Sequence, residues 1–144
     1  MGNVQKSIAE LQDKIVDDFL AIGDPLSQYE YLLEFAASLP KLDAQNKIDE
    51  NLVEGCQSRV WLILECKNDR LSLTADSDTL IVRGILNLLI EILDGQSCSE
   101  VAAADLYFLR EANLMMTFNE ARRKGIGSAI ASIKAYAASQ TNLG

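Results

Sequence analysis

The 144-residue chain is 49% apolar and carries 13 Lys and Arg against 21 Asp and Glu, a net charge of −8. Its length suits a single domain over residues 1–144 with a buried core, and its acidity disfavours nucleic acid and anionic membranes as partners. The absence of histidine removes a Cys-His dyad, a Ser-His-Asp triad and His-ligated metals, so any chemistry must use other groups or a partner's.

The opening Met1-Gly2-Asn3-Val4-Gln5-Lys6 lacks the basic-then-apolar pattern of a secretory signal. The richest apolar run, Leu80 to Leu93, is short and contains Arg83 and Glu91, which excludes a spanning helix. These features give the expectation of a cytoplasmic protein.

Val4, Ile8, Leu11, Ile15 and Phe19 recur at helical spacing, and Gly23-Asp24-Pro25 ends that helix. Asp24 as cap and Pro25 at the first helical position start a second helix, whose buried face is Leu26, Tyr29, Leu33, Ala36 and Ala37. Pro40 stops it, and polar residues 41–51 read as a surface connection. A short strand at Leu52-Val53, a second over 59–66 and a third over 71–75 then predict a three-stranded antiparallel meander.

Asp76-Ser77-Asp78 reads as the start of a helix, where acidic residues favour the dipole. That helix is apolar apart from a stripe of Thr79, Arg83, Asn87 and Glu91, which makes it the core of the domain. Ser97-Cys98-Ser99-Glu100 has capping-box form and opens a short helix. A last helix carries Ile126, Ile130, Ile133 and Ala137, with Asn119 able to cap it. Helices, then sheet, then helices give an α+β class, with helices packed on a small antiparallel sheet.

The three cysteines are Cys56, Cys66 and Cys98. An odd count without CxxC spacing argues against a disulfide framework and against structural zinc, so neither metal nor cofactor is expected. Cys66, at a strand end, and Cys98, in a helix's first turn, read as inert core residues. Cys56 differs, because Gly55-Cys56-Gln57-Ser58 falls at a turn between two predicted strands, where a partner can reach a thiol. Position alone leaves it balanced between a buried small residue and a nucleophile. Trp61 reads as core, and Arg122-Arg123-Lys124 reads equally as a solvated helix start or a functional basic cluster.

Gly55-Cys56-Gln57-Ser58-Arg59-Val60-Trp61 resembles the G-C-x-S-x-V-W signature of the SufE family, which includes CsdE-type proteins. Tyr29, Glu34, Leu39 and Pro40 resemble that family's Y-x-x-x-x-E-x-x-x-x-L-P stretch, and Asp76 to Gly84 its D-S-D-A-x-I-V-(K/R)-G element. One segment departs. Phe118 to Ile126 keeps Arg122 and Gly125 of the family's L-(S/T)-P-(S/T)-R-x-x-G-L but lacks the proline and hydroxyl residue.

The resemblance implies a SufE/IscU-like fold and a sulfur acceptor in iron–sulfur cluster assembly. Cys56 would take persulfide sulfur from a pyridoxal-phosphate cysteine desulfurase of SufS or CsdA type, stimulate it, and deliver the sulfur to a SufBCD-like scaffold. Arg122 would then lie near the Cys56 loop and stabilise thiolate or persulfide charge, and Asp78 would orient the site. The alternatives are a stand-alone thiol enzyme of peroxidase or transferase type, and an interaction module without thiol chemistry.

Overall fold

In the computed structural model, described here over residues 6–54 and 58–141, α1 (Ile8–Ile22) and α2 (Pro25–Ser38) lead into a β-hairpin. The hairpin is β1 (Val60–Lys67) and β2 (Arg70–Ser77), followed by α3 (Leu80–Leu93), α4 (Cys98–Ala103), α5 (Phe108–Glu111) and α6 (Glu120–Thr141). Among the described residues no helix is long and apolar enough to cross a membrane.

Local signals account for the element ends. Ser7 accepts from the Glu10 amide while the Glu10 carboxylate accepts from the Ser7 amide, closing a capping box on α1. Asp24 accepts from the Ser27 amide at 2.9 Å, with Pro25 at the first position of α2, as the sequence predicts. The hairpin turns on Asn68 and Asp69, with φ of 54° and 59°, the left-handed pair that matches the twist of the flanking strands. Asn119 caps α6 through its side-chain oxygen, which accepts from the Arg122 amide at 2.8 Å.

Among the described residues the sheet has two strands, not three, paired from Val60↔Ser77 to Lys67↔Arg70. The expected strand at Leu52-Val53 is reduced to a single bridge, Leu52↔Trp61, with the Val53 amide donating to the Val60 carbonyl at 2.8 Å. A 3-10 turn at Asp49–Asn51 on one side and a turn at Glu54 on the other leave no length for a ladder.

Strand β2 points Leu71, Leu73 and Ala75 inward, onto α3. Helix α3 lies between β2 and α2, and α6 packs on α4 and β1. The core centres on Phe19, Leu88, Ile92, Phe108 and Ile133, all fully buried. Helices α2 and α3 approach so closely at Gly84 that a Cβ there would sit 2.5 Å from the Leu32 carbonyl oxygen.

Two expectations about α3 change. Asp76 and Ser77 belong to β2, and α3 begins at Leu80 with Thr79 at its cap, so the acidic pair does not sit in the helix. Part of the polar stripe also turns inward, with Glu91 left exposed: Arg83 and Asn87 donate to carbonyls at the end of α2, Asn87 to Phe35 at 2.9 Å. An α-helix end leaves carbonyls without intrahelical partners, and α3 supplies them.

Candidate functional site

Gly55, Cys56 and Gln57 lie outside the described residues, so the site is defined by what frames them. The strand residue Val60 begins β1, and the residues before it are fixed by the Asp-Ser-Asp segment at the end of β2. The Arg59 amide donates to Asp78 Oδ1 at 3.1 Å, and the Arg59 carbonyl accepts from the Asp78 amide at 3.3 Å. Ser77 Oγ donates to that same carbonyl at 2.7 Å. The Ser58 and Thr79 hydroxyls are 2.8 Å apart. Asp78 therefore holds the backbone leading out of the cysteine segment, where the sequence pattern alone suggests a helix start.

Asp76 serves the frame from inside. It is fully buried and pairs with Arg83, while its second oxygen accepts from the Leu42 amide at 2.9 Å and lies 3.5 Å from Lys47 Nζ. Arg83 also donates to the Leu39 carbonyl at 2.5 Å, and Lys47 Nζ sits 5.2 Å from the Trp61 ring centroid. Burial opposes ionisation of Asp76, but the Leu42 and Ser77 amides and the charges of Arg83 and Lys47 outweigh it and hold its carboxyl below the ordinary range. This network joins the end of α2, the 39–47 connection, β2 and α3. The connection is thus more than surface loop, since Leu42 is buried in it.

Arg122 and Ser58 line one narrow, mostly apolar cavity, together with Val60, Val82, Leu86 and Ile126. The Arg122 Nε is buried and has no hydrogen-bond partner among the described residues. A buried donor without an acceptor is unfavourable, and it marks a place where an acceptor can be taken up. Leu80, directly after the anchoring residues, is 64% exposed.

The other two cysteines are bonded to each other, contrary to the expectation of two inert thiols. Cys66 lies near the end of β1 and Cys98 begins α4, with Cα atoms 6.5 Å apart. Sequence spacing gives no warning of this pair, because the hairpin turn and the helix start meet only in three dimensions. The disulfide lies at the end of β1 remote from Ser58, about 20 Å from Val60 along a strand rising about 3.3 Å per residue.

A family model described as "SufE: Fe-S metabolism associated domain" matches residues 13–137. The chain belongs to the SufE family. An uncharacterized SufE-like protein of Rhizobium etli is 32% identical over 127 residues, covering 85% of this chain and 86% of that one. The chloroplastic SufE-like protein 2 of Arabidopsis thaliana is 39% identical over 103 residues, 69% of this chain and 39% of its own. The solution structure of a hypothetical protein from Thermus thermophilus superposes with a TM-score of 0.76, over 92% of this chain and 96% of that one. At 20% identity that likeness speaks for the α+β fold alone. The SufE family description connects the chain with iron–sulfur metabolism.

Proposed function

We propose that the protein is a sulfur acceptor whose working group is Cys56. The Cys56 thiolate attacks the outer sulfur of a persulfide held by a pyridoxal-phosphate cysteine desulfurase of SufS or CsdA type. The bond between that sulfur and the desulfurase cysteine breaks, and the desulfurase cysteine leaves as thiolate. Cys56 then carries the persulfide in the cytoplasm to a SufBCD-like scaffold, and docking stimulates the desulfurase. The partner supplies the cofactor and the activated sulfur, which suits a chain without histidine.

The observation that carries this reading is the unpartnered Arg122 Nε in the cavity that Ser58 also lines. Cys56 is two residues before Ser58, so chain geometry keeps its Cα within about 7 Å of Ser58. An anionic thiolate or persulfide within reach of Arg122 would gain the guanidinium's charge and its Nε donor, which has no partner among the described residues, and that gain would have to outweigh the apolar lining, which disfavours the anion. Asp78 holds the following backbone in place. A stand-alone thiol peroxidase that resolves within the chain would need a second thiol beside Cys56, and Cys66 and Cys98 are paired with each other at the far end of β1.

The test is mass spectrometry of the protein after incubation with a desulfurase and free cysteine. One added sulfur on the peptide containing Cys56, absent in Cys56→Ser, supports the reading. Sulfur found only on Cys66 or Cys98, or a Cys56→Ser protein that still carries it, overturns it.

A further inference from the structure

The Cys66–Cys98 bond joins two segments that other contacts also hold together. The two segments it joins are already fastened by hydrogen bonds: Cys98 amide to Asp69 carbonyl at 3.2 Å, Leu71 amide to Gln96 carbonyl at 2.9 Å, and Gly95 amide to Leu71 carbonyl at 2.7 Å. Arg70 and Ser97 form a bridge between them, and the Cys66 amide donates to the Tyr136 hydroxyl of α6 at 3.1 Å. These contacts hold the segments beside one another in addition to the bond.

The two sulfurs differ in access. Cys98 is fully buried, whereas Cys66 is partly exposed at the strand end. A thiolate arriving from solvent meets Cys66 first. The Asp69 carboxylate lies within 4.8 Å of both sulfurs and is exposed, placing a negative charge on the approach.

We infer that Cys66 and Cys98 form a reversible redox site, separate from Cys56, that exchanges two electrons with a dithiol reductant. The reductant thiolate attacks Cys66 Sγ, the Cys66–Cys98 bond breaks, and Cys98 leaves as a thiolate that takes up a proton. The second thiol of the reductant then attacks its own sulfur in the mixed disulfide. Cys66 is released as a thiol, and the reductant departs as a disulfide. Two electrons and two protons pass to the protein. Asp69 repels the incoming thiolate and slows its attack.

The experiment uses Cys56→Ser, so that its outcome does not depend on sulfur carriage by Cys56. The protein is treated with iodoacetamide before and after dithiothreitol, and its mass and circular dichroism are followed. Two alkyl groups appear only after reduction, the reduced protein keeps its helical spectrum, and oxidised dithiothreitol restores the bond. A monothiol adduct trapped on the way maps to Cys66. Adding Asp69→Asn speeds reduction about twofold to fourfold, the effect of removing one exposed charge at this range. Alkylation of both cysteines without reductant, even after oxidant treatment, overturns the inference. So does loss of the helical spectrum on reduction, which would make the bond a structural staple, and so does an adduct found on Cys98.

Discussion

Replacing Arg83 with Met removes the charge that holds Asp76 in the interior. Asp76 has no exposed surface, and Arg83 is its closest cation, because Lys47 reaches it at 3.5 Å from a partly exposed position. The substitution also leaves the Leu39 carbonyl without the guanidinium donor it has in the intact protein. Breaking a buried pair from one side costs about 3–5 kcal/mol, and the remaining Lys47 argues for the lower end, about 3 kcal/mol. For a chain of this length about 3 kcal/mol corresponds to a fall in Tm of roughly 10 °C. Urea unfolding followed by circular dichroism measures the loss, with an unchanged m-value as the sign that only stability moved. The double variant Asp76→Asn with Arg83→Met removes both charges while keeping a side-chain oxygen that can accept from the Leu42 amide, and recovers part of the loss, since the uncompensated buried charge is gone. A single variant that loses less than about 1 kcal/mol, or a double variant no better than the single, refutes the argument that Asp76 depends on Arg83.

Gly84→Ala forces a methyl group against the Leu32 backbone oxygen, which cannot swing away, and destabilises by about 1–3 kcal/mol in the same urea assay. Acid should weaken the fold through Asp76: its lowered pKa gives stability that is present above the unfolded carboxylate value near 4 and is lost as pH falls through the folded value. Glu91 works in the opposite direction, because burial raises its pKa and its protonation favours the folded state. Thermal melts from pH 6 to pH 2 should therefore fall most steeply below about pH 4, and Asp76→Asn should flatten that acid limb. Arg122→Gln should slow alkylation of Cys56 by about threefold to tenfold at pH 7, measured with iodoacetamide against a Cys66→Ser, Cys98→Ser background, and an unchanged rate would separate Arg122 from the thiol.

The parts of the fold legible in sequence are those whose signals are local. The period-two alternation of Leu71, Leu73 and Ala75, the Asp24-Pro25 start and the Asn119 cap all stand as read. What escapes a sequence reading depends on meetings between distant segments. Asp76, Ser77 and Asp78 look like a helix start because acidic residues commonly occupy one, but their partners are Leu42, Arg83 and Arg59, which only the folded hairpin brings to them. Gln12 looks like a solvated residue on α1, yet it is buried and its side-chain oxygen accepts from the Tyr107 and Phe108 amides. Residues 108–117, where α5 and a 3-10 turn lie, carry no strong periodic pattern to announce them. The Cys66–Cys98 pair belongs to the same class of non-local contact. For the site, the residue types are visible in the family motifs, while the buried donor of Arg122 and the hydrogen bonds around Arg59 require coordinates.

The hydrogen bond from Val53 to Val60 closes the base of the segment that contains Cys56. A closed base separates two quantities that are coupled in an untethered chain, how firmly the segment is held and how far its tip extends. Firmness is set at the base, by Val53, Arg59 and the Asp-Ser-Asp residues. Doubling the length of a flexible loop closed at such a base costs only about 0.6 kcal/mol in closure entropy. Residues can therefore be added between 54 and 58 with the Val53 and Arg59 anchors left in place, and an inserted variant should keep a Tm close to that of the intact protein in a thermal melt.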